Sequence, residues 1–393
     1  MDLLNQVENY DPALPKGKFG FLSLRWSLLF MVDYAFSLSK QQDKDGNLIK
    51  RYESQGYPGK SFRKIHESMV NRLKNQRSAP YHNTLPLPSI DSSYVDRKFF
   101  THWHKKANMP LVIKGYIKGQ KVMEATTIAS LVEQHGQKEV KFIERESTKK
   151  DAYRVGQNTK VSTATLEEYL TKEEYRENYI NNFYGILDDN DYLEKSRGVD
   201  IDEFRGQKSF VSQWFISRKK NSGSTLHCAI GDNMFLNIHG NKEWFFIDPS
   251  FMPLLKPALS KYGVYSVAEL NEEVNINANF YDEITTDYPY LKHIPIYRCM
   301  LAPGDVLYNP SAWWHSVRNH SDYTVGCAVR YPSKQLDNNS ITLSICCLLI
   351  EAFKHPKKSL LPQIIKMASG NTSSKKDLIN SIFSGGKKRI KKA

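Results

Sequence analysis

Between Ser209 and Tyr331 the chain is written in short runs of β-branched and aromatic residues, each broken by Gly, Pro, Asn or Asp. Val211 to Ile216, Met234 to Ile238, Glu243 to Ile247, Ile294 to Leu301, Val306 to Tyr308, Trp314 to Arg318 and Thr324 to Tyr331 all have strand length and composition. Many short strands separated by turn residues point to a sandwich or barrel. The texture differs on both sides. Phe99 to His104 reads as a short helix, Pro110 to Tyr116 as a strand, and Ile128 to His135 and Leu166 to Asn182 as helices. Thr165 followed by Glu168 has capping-box spacing, in which hydroxyl and carboxylate each accept the other's backbone N–H. Gln41 to Arg51 is polar and holds an Asp-Gly turn, and Pro80 to Ser89 reads as a linker. Past Pro332 the spacing is helical again over Ile341 to Phe353, with Leu360 to Met367 following. The fold class is therefore mainly β with flanking helices (α+β). Its parts are an N-terminal extension (1–80), a mixed segment (81–208), a strand-rich core (209–335) and C-terminal helices with a basic tail (336–393).

With 393 residues, 40% of them hydrophobic, the chain is long enough to bury a large core. Lys and Arg number 55 against 42 Asp and Glu, and the excess of 13 is concentrated in Lys60 to Arg77 and in Lys387 to Lys392. A basic tail of this kind makes weak nucleic-acid contacts or serves as a localisation signal, and most often is a solvated end. The five cysteines form no CxxC pair, which predicts buried thiols in a reducing, intracellular setting, cytoplasmic or nuclear. Phe19 to Leu38 has the length of a bilayer span. Arg25 and Asp33 within it argue against insertion, at roughly 2.5–3.5 kcal/mol each on insertion scales, so a buried helix is expected and a membrane anchor is not. Two roles are open to the C-terminal helices, covering the barrel or forming a homodimer interface. No P-loop, GxGxxG or GxSxG is present, which removes the common nucleotide-binding and hydrolase signatures.

Chemistry-bearing residues fall on the strand-like runs with a definite parity. Side chains alternate along a strand, so His227 shares a face with residue 229 while Cys228 points away. The same rule aligns Trp313, His315 and Val317, and on the last strand Thr324, Gly326, Ala328 and Arg330, where three small residues leave room beside one long cation. A pocket with two imidazoles, Lys242 and Arg330 suits a small anion, because lysine supplies a point charge and arginine a two-pronged fork for carboxylate.

Several pieces occur in an order that resembles one family. Pro110-Leu111-Val112-Ile113-Lys114-Gly115 is followed by Thr225-Leu226-His227, Asp232-Asn233-Met234-Phe235 and Gly240-Asn241-Lys242-Glu243-Trp244 running into Asp248-Pro249. Then come Asp287-Tyr288-Pro289, Leu301-Ala302-Pro303-Gly304-Asp305-Val306-Leu307 and Trp313-Trp314-His315-Ser316-Val317-Arg318-Asn319. From about Pro110 to Pro332 the chain resembles the JmjC/cupin-like Fe(II)/2-oxoglutarate oxygenases, the group that includes the asparaginyl hydroxylase acting on hypoxia-inducible factor. The resemblance implies a double-stranded β-helix, or jelly-roll, core. It implies His227 and His315 as iron ligands and Lys242 as partner of the distal carboxylate of 2-oxoglutarate. Ser224 and Asn233 would hydrogen-bond the cosubstrate or organise the site, and Arg330 would line the pocket.

One position departs from the family pattern. Such oxygenases hold Fe(II) with two His and one carboxylate on one face, and Ala229 stands where that acid belongs. Three readings are open. The first is a non-catalytic or altered-site protein that binds a small anion or a partner, with no cofactor of its own. The second is an active 2-oxoglutarate-dependent hydroxylase whose site is completed by water, by 2-oxoglutarate or by Asp232. The third resembles the iron halogenases, with chloride in place of the carboxylate. Whether the protein is an enzyme stays open on the sequence. So does its substrate, a protein side chain or a small molecule.

Overall fold

A computed structural model describes residues 3–36, 38, 51–77, 79–144, 161–183, 211–259, 265–270, 276–333 and 339–354, together with Ile201, Arg205, Gly206 and Ser209. The expected Asp-Gly turn after Gln41, the helix at Leu360 to Met367 and the basic tail at Lys387 to Lys392 lie outside the described residues.

In chain order the helices are α1 (Phe21–Phe36), α2 (Gly59–Gln76), α3 (Arg97–Lys106), α4 (Lys121–Ala125), α5 (Ile128–His135), α6 (Leu166–Thr171), α7 (Phe280–Asp287) and α8 (Asn339–Lys354). The strands of the first half are β1 (Leu85–Pro86), β2 (Ser89–Asp91), β3 (Leu111–Lys114), β4 (Glu139–Ile143), β5 (Val161–Thr165) and β6 (Tyr179–Phe183). Those of the second half are β7 (Val211–Ser217), β8 (Gly223–Ala229), β9 (Asp232–His239), β10 (Lys242–Ile247), β11 (Pro257–Leu259), β12 (Tyr265–Ala268), β13 (Ile296–Leu301), β14 (Val306–Asn309), β15 (Trp314–Asn319) and β16 (Thr324–Tyr331).

Two sheets face each other. One has the order β1-β13-β10-β15-β8-β12-β11, the other β2-β3-β14-β9-β16-β7-β6-β4-β5. Successive core strands alternate between them except at β10 and β13, which pair within one sheet, so that β8, β10, β13 and β15 lie in the first sheet and β7, β9, β14 and β16 in the second. That alternation, with every core pairing antiparallel, is a jelly roll. The turn from β9 to β10 requires Gly240, whose φ is +72° and whose absent Cβ would meet the Tyr323 carbonyl oxygen at 2.4 Å.

One apolar core fills the space between the sheets and continues beneath α3, α5 and α6. A second lies on the outer face of the seven-stranded sheet, under α1, α2, α7 and the 3-10 segment Pro249–Leu255. Helix α2 buries Phe62, Ile65, Met69 and Leu73, the i, i+3, i+7, i+11 stripe of an amphipathic helix. Helix α1 buries Trp26, Leu29, Phe30 and Asp33, whose carboxylate accepts from Arg51 Nε at 2.6 Å. No helix among the described residues is long and apolar enough to cross a membrane.

The capping box forms: Glu168 N donates to Thr165 Oγ1 and Thr165 N to the Glu168 carboxylate, each at 3.1 Å. The helix it starts is shorter than the expected Leu166 to Asn182. It stops at Thr171, and Tyr179–Phe183 becomes β6 instead, pairing with β7. The Tyr-Ile-Asn-Asn-Phe segment finds a sheet edge to extend, and that pairing overrides its helical spacing.

Candidate functional site

The two histidines sit on neighbouring strands at directly paired positions, His315 of β15 opposite His227 of β8. Their ring centroids are 4.2 Å apart. Each ring is held by the backbone two residues before it, His227 Nδ1 donating to Thr225 O at 2.7 Å and His315 Nδ1 to Trp313 O at 2.9 Å. A carbonyl only accepts, so Nδ1 carries the hydrogen in both rings and the lone pair lies on Nε2. Burial lowers the His227 pKa to about 4, opposed by its hydrogen bond to the Thr225 carbonyl and aided by the charge of Arg330. Burial holds His315 well below the usual range as well, helped by His227 and Arg330. Both imidazoles are neutral at pH 7.

Alternation places Ala229 on the histidine side of β8, while Leu226 and Cys228 point into the outer core. Ala229 contributes only a methyl group. Its carbonyl accepts from Ala312 N at 2.9 Å, and Ala312 adopts a left-handed backbone with φ 64° in the loop that delivers His315. Simple alternation would turn Ser224 away from His227. A β-bulge intervenes: His315 pairs with His227 but Val317 pairs with Ser224, three residues of β8 spanning two of β15. The bulge reverses the parity and returns Ser224 to the face that bears His227 and Val317.

Lys242 is fully buried on β10, on the same face as Trp244 and Phe246. Its ammonium donates to Asn319 Oδ1 at 2.5 Å and to Thr324 Oγ1 at 3.1 Å, both neutral acceptors. Burial lowers its pKa to about 7. Phe246 is the residue of β10 that pairs with His315, so Lys242 lies four residues, about 13 Å of strand, from the histidine level. Trp244 comes between them along β10, and its ring stacks on His315 with centroids 5.5 Å apart.

The opposite sheet supplies Asn233 and Arg330, which pair with each other across β9 and β16. Asn233 Oδ1 is buried without a hydrogen-bond partner among the described residues. Arg330 Nε donates to Gln213 Oε1 at 3.0 Å, and its charge reaches both histidines. Gly326 does not leave the open space expected of it. The Phe235 ring fills that space, at 2.2 Å from where a Cβ would stand.

Asp232 is not a substitute for the missing acid. It lies on the other face of β9 from Asn233, buried, in an ion pair with Arg205, and it accepts from Ser311 N at 3.1 Å. Arg205 in turn lies over the rings of Phe100, Tyr308 and Tyr331. No three His, Cys, Asp or Glu side chains are grouped to hold a metal among the described residues. The donor set at the histidines is two neutral imidazoles, which do not make up the facial triad of an iron oxygenase.

Sequence reasoning missed Asn309, whose amide lies 3.3 Å from His315 Nδ1, and Gln213, which holds Arg330; it named Thr324 and Asn319 but not their role as the acceptors of Lys242. Each comes from a strand whose register is set only by pairing. No local pattern marks Asn309 or Gln213.

A family model described as a cupin-like domain matches residues 96–335. Among curated proteins, the chain is 26% identical over 155 residues to arginine-specific demethylase JMJ20 of Arabidopsis thaliana, covering 39% of this chain and 29% of that protein. It is 27% identical over 124 residues to the bifunctional arginine demethylase and lysyl-hydroxylase psr-1 of Caenorhabditis elegans, covering 31% of this chain and 30% of that protein. It is 30% identical over 98 residues to Jumonji C domain-containing protein 5 of Drosophila melanogaster, covering 25% and 22%. The chain thus spans less than a third of the length of these relatives. With a jelly roll, paired histidines on adjacent strands and a family match over more than half its residues, the chain belongs to the cupin-like domain family, within the JmjC-related 2-oxoglutarate oxygenase superfamily.

Proposed function

We propose that this protein is a binding member of its superfamily that takes a small dicarboxylate of the 2-oxoglutarate type between Lys242 and the histidine pair, without hydroxylase chemistry. The observation that carries the reading is Lys242, a fully buried lysine whose hydrogen-bond acceptors are both neutral. An ammonium taken out of water is costly unless an anion compensates it. Ser224, Asn233 and Arg330 are the further polar groups that would face a bound carboxylate, Arg330 with its Nε held by Gln213 and its charge near the histidines. The relatives' demethylase and hydroxylase activities are not carried over, because Ala229 removes the charge that would hold iron.

A second reading is favoured by one observation: both imidazoles are fixed in the tautomer that ligates a metal through Nε2. In it, chloride or water completes the set. Anaerobic Fe(II) and 2-oxoglutarate would then give a visible charge-transfer band that depends on chloride. Absence of the band at any chloride concentration removes this reading.

Two results are expected on the first. Affinity for 2-oxoglutarate falls as pH rises above about 7, the pKa of Lys242 in the free protein, by up to ~tenfold per unit once the lysine must be protonated on binding. Calorimetry across that range in two buffers of different ionisation enthalpy reads both the affinity and the proton uptake; a flat profile contradicts the assignment. Ala229→Asp restores the missing charge and tightens Co(II) or Fe(II) binding by at least ~tenfold, the scale on which even groups outside the ligand set act. Equal metal affinity in both proteins, read by equilibrium dialysis, shows that the gap at Ala229 is not what limits metal binding.

A further inference from the structure

We propose that the outer face formed by α1 and α8 docks on an anionic lipid bilayer, lying on its surface and not crossing it. The two helices pack side by side at the edge of the outer core. Both turn large apolar side chains to solvent. On α1 these include Phe21, Leu24, Leu28 and Phe36, and on α8 Leu349 and Phe353. The three phenylalanines are 70%, 72% and 91% exposed. At ~150–250 Å² per aromatic side chain, they alone expose about 350–600 Å² of apolar surface, spread along the two helices.

Charge decides what covers this face. Among the described side chains, Arg25 is the exposed polar residue of α1 and Lys354 that of α8, while Asp33 is buried against Arg51. The chain then continues from the end of α8 with 39 residues that hold ten Lys or Arg and one acid, nine of the thirteen net positive charges of the whole protein. A second copy seated on the same face would bring these like charges together. An anionic bilayer takes the apolar side chains into its interfacial layer and attracts Arg25, Lys354 and the cations that follow α8 in the sequence.

The test is flotation of the full-length chain with vesicles of phosphatidylcholine alone and of phosphatidylcholine with about one-third phosphatidylserine. Co-flotation with the anionic vesicles, weakened by raising salt from about 0.1 M to about 0.5 M, is expected. Leu28→Glu with Leu349→Glu should lower that partition at least ~tenfold with an unchanged melting temperature, since both positions are exposed. A second variant, with Lys387, Lys388, Arg389, Lys391 and Lys392 changed to glutamine, tests the charge arm without touching the helices and should also lose binding. Equal partition into both vesicle types, or binding indifferent to both variants, overturns the proposal. So does a stable dimer by light scattering that the Leu28/Leu349 variant dissociates, with no vesicle binding by the unmodified chain.

Discussion

Lys242→Met is expected to abolish 2-oxoglutarate binding while raising the stability of the ligand-free protein. The lysine is fully buried, and burial alone brings its pKa down to about 7 from the ordinary lysine range near 10.4. The sign follows from proton counts. Between about pH 7 and pH 10 the unfolded chain holds the proton and the folded one does not, so stability rises with pH across that window. Below pH 7 both states are protonated and the folded state carries the whole penalty of a buried cation. Methionine removes that penalty at similar volume, but it leaves Asn319 Oδ1 and Thr324 Oγ1 without their donor, at ~1–3 kcal/mol. The balance is a gain of ~1–3 kcal/mol near pH 6 that turns toward pH 10 into a loss of ~1–3 kcal/mol, since the unpaired acceptors remain when the parent no longer carries the buried charge. Urea denaturation at the two pH values reads it. A variant less stable than the parent at pH 6 would mean that the lysine is compensated within the protein and has no need of an anion.

Asp232→Asn is expected to destabilise the fold by ~3–5 kcal/mol, because it leaves Arg205 as an uncompensated charge beneath the β9 sheet face. Burial pushes the Asp232 carboxyl above its usual range, against the opposing pull of Arg205, so the pair is costly to assemble. Losing one partner is costlier still. The same carboxylate fixes Ser311 N, and Ser311 Oγ accepts from Gly231 N at 3.0 Å. The loop before His315 is thereby tied to the end of β8. Arg205→Met added to Asp232→Asn should recover a large part of the loss in a double-mutant cycle. Additive losses would show the two residues to be uncoupled. Metal affinity should be the same with and without Asp232→Asn, because this carboxylate faces away from the histidines.

Much of the jelly roll is legible from local texture. Each of the seven runs of β-branched and aromatic residues coincides with a strand, since alternation and turn residues are encoded within a few positions. Pairing is not local. The bulge that returns Ser224 to the histidine face appears only in the register of β8 on β15, and plain alternation misplaces that residue. Asp232 is ambiguous in the sequence because its partner, Arg205, precedes it by 27 residues in a stretch without periodic signal. Gly326 reads as empty space until the Phe235 ring of the neighbouring strand is seen to fill it. The segment after Thr171 keeps a helical spacing but finds a sheet edge, and there the non-local partner decides.

The central claim is that the pocket is organised by Lys242 for an anion and not by iron. Calorimetric titration of chelator-treated, metal-free protein with 2-oxoglutarate tests it most directly. Saturable one-to-one binding that Lys242→Met eliminates and added Fe(II) does not require is the expected result; binding that appears only once Fe(II) is supplied, or that survives in Lys242→Met, contradicts it.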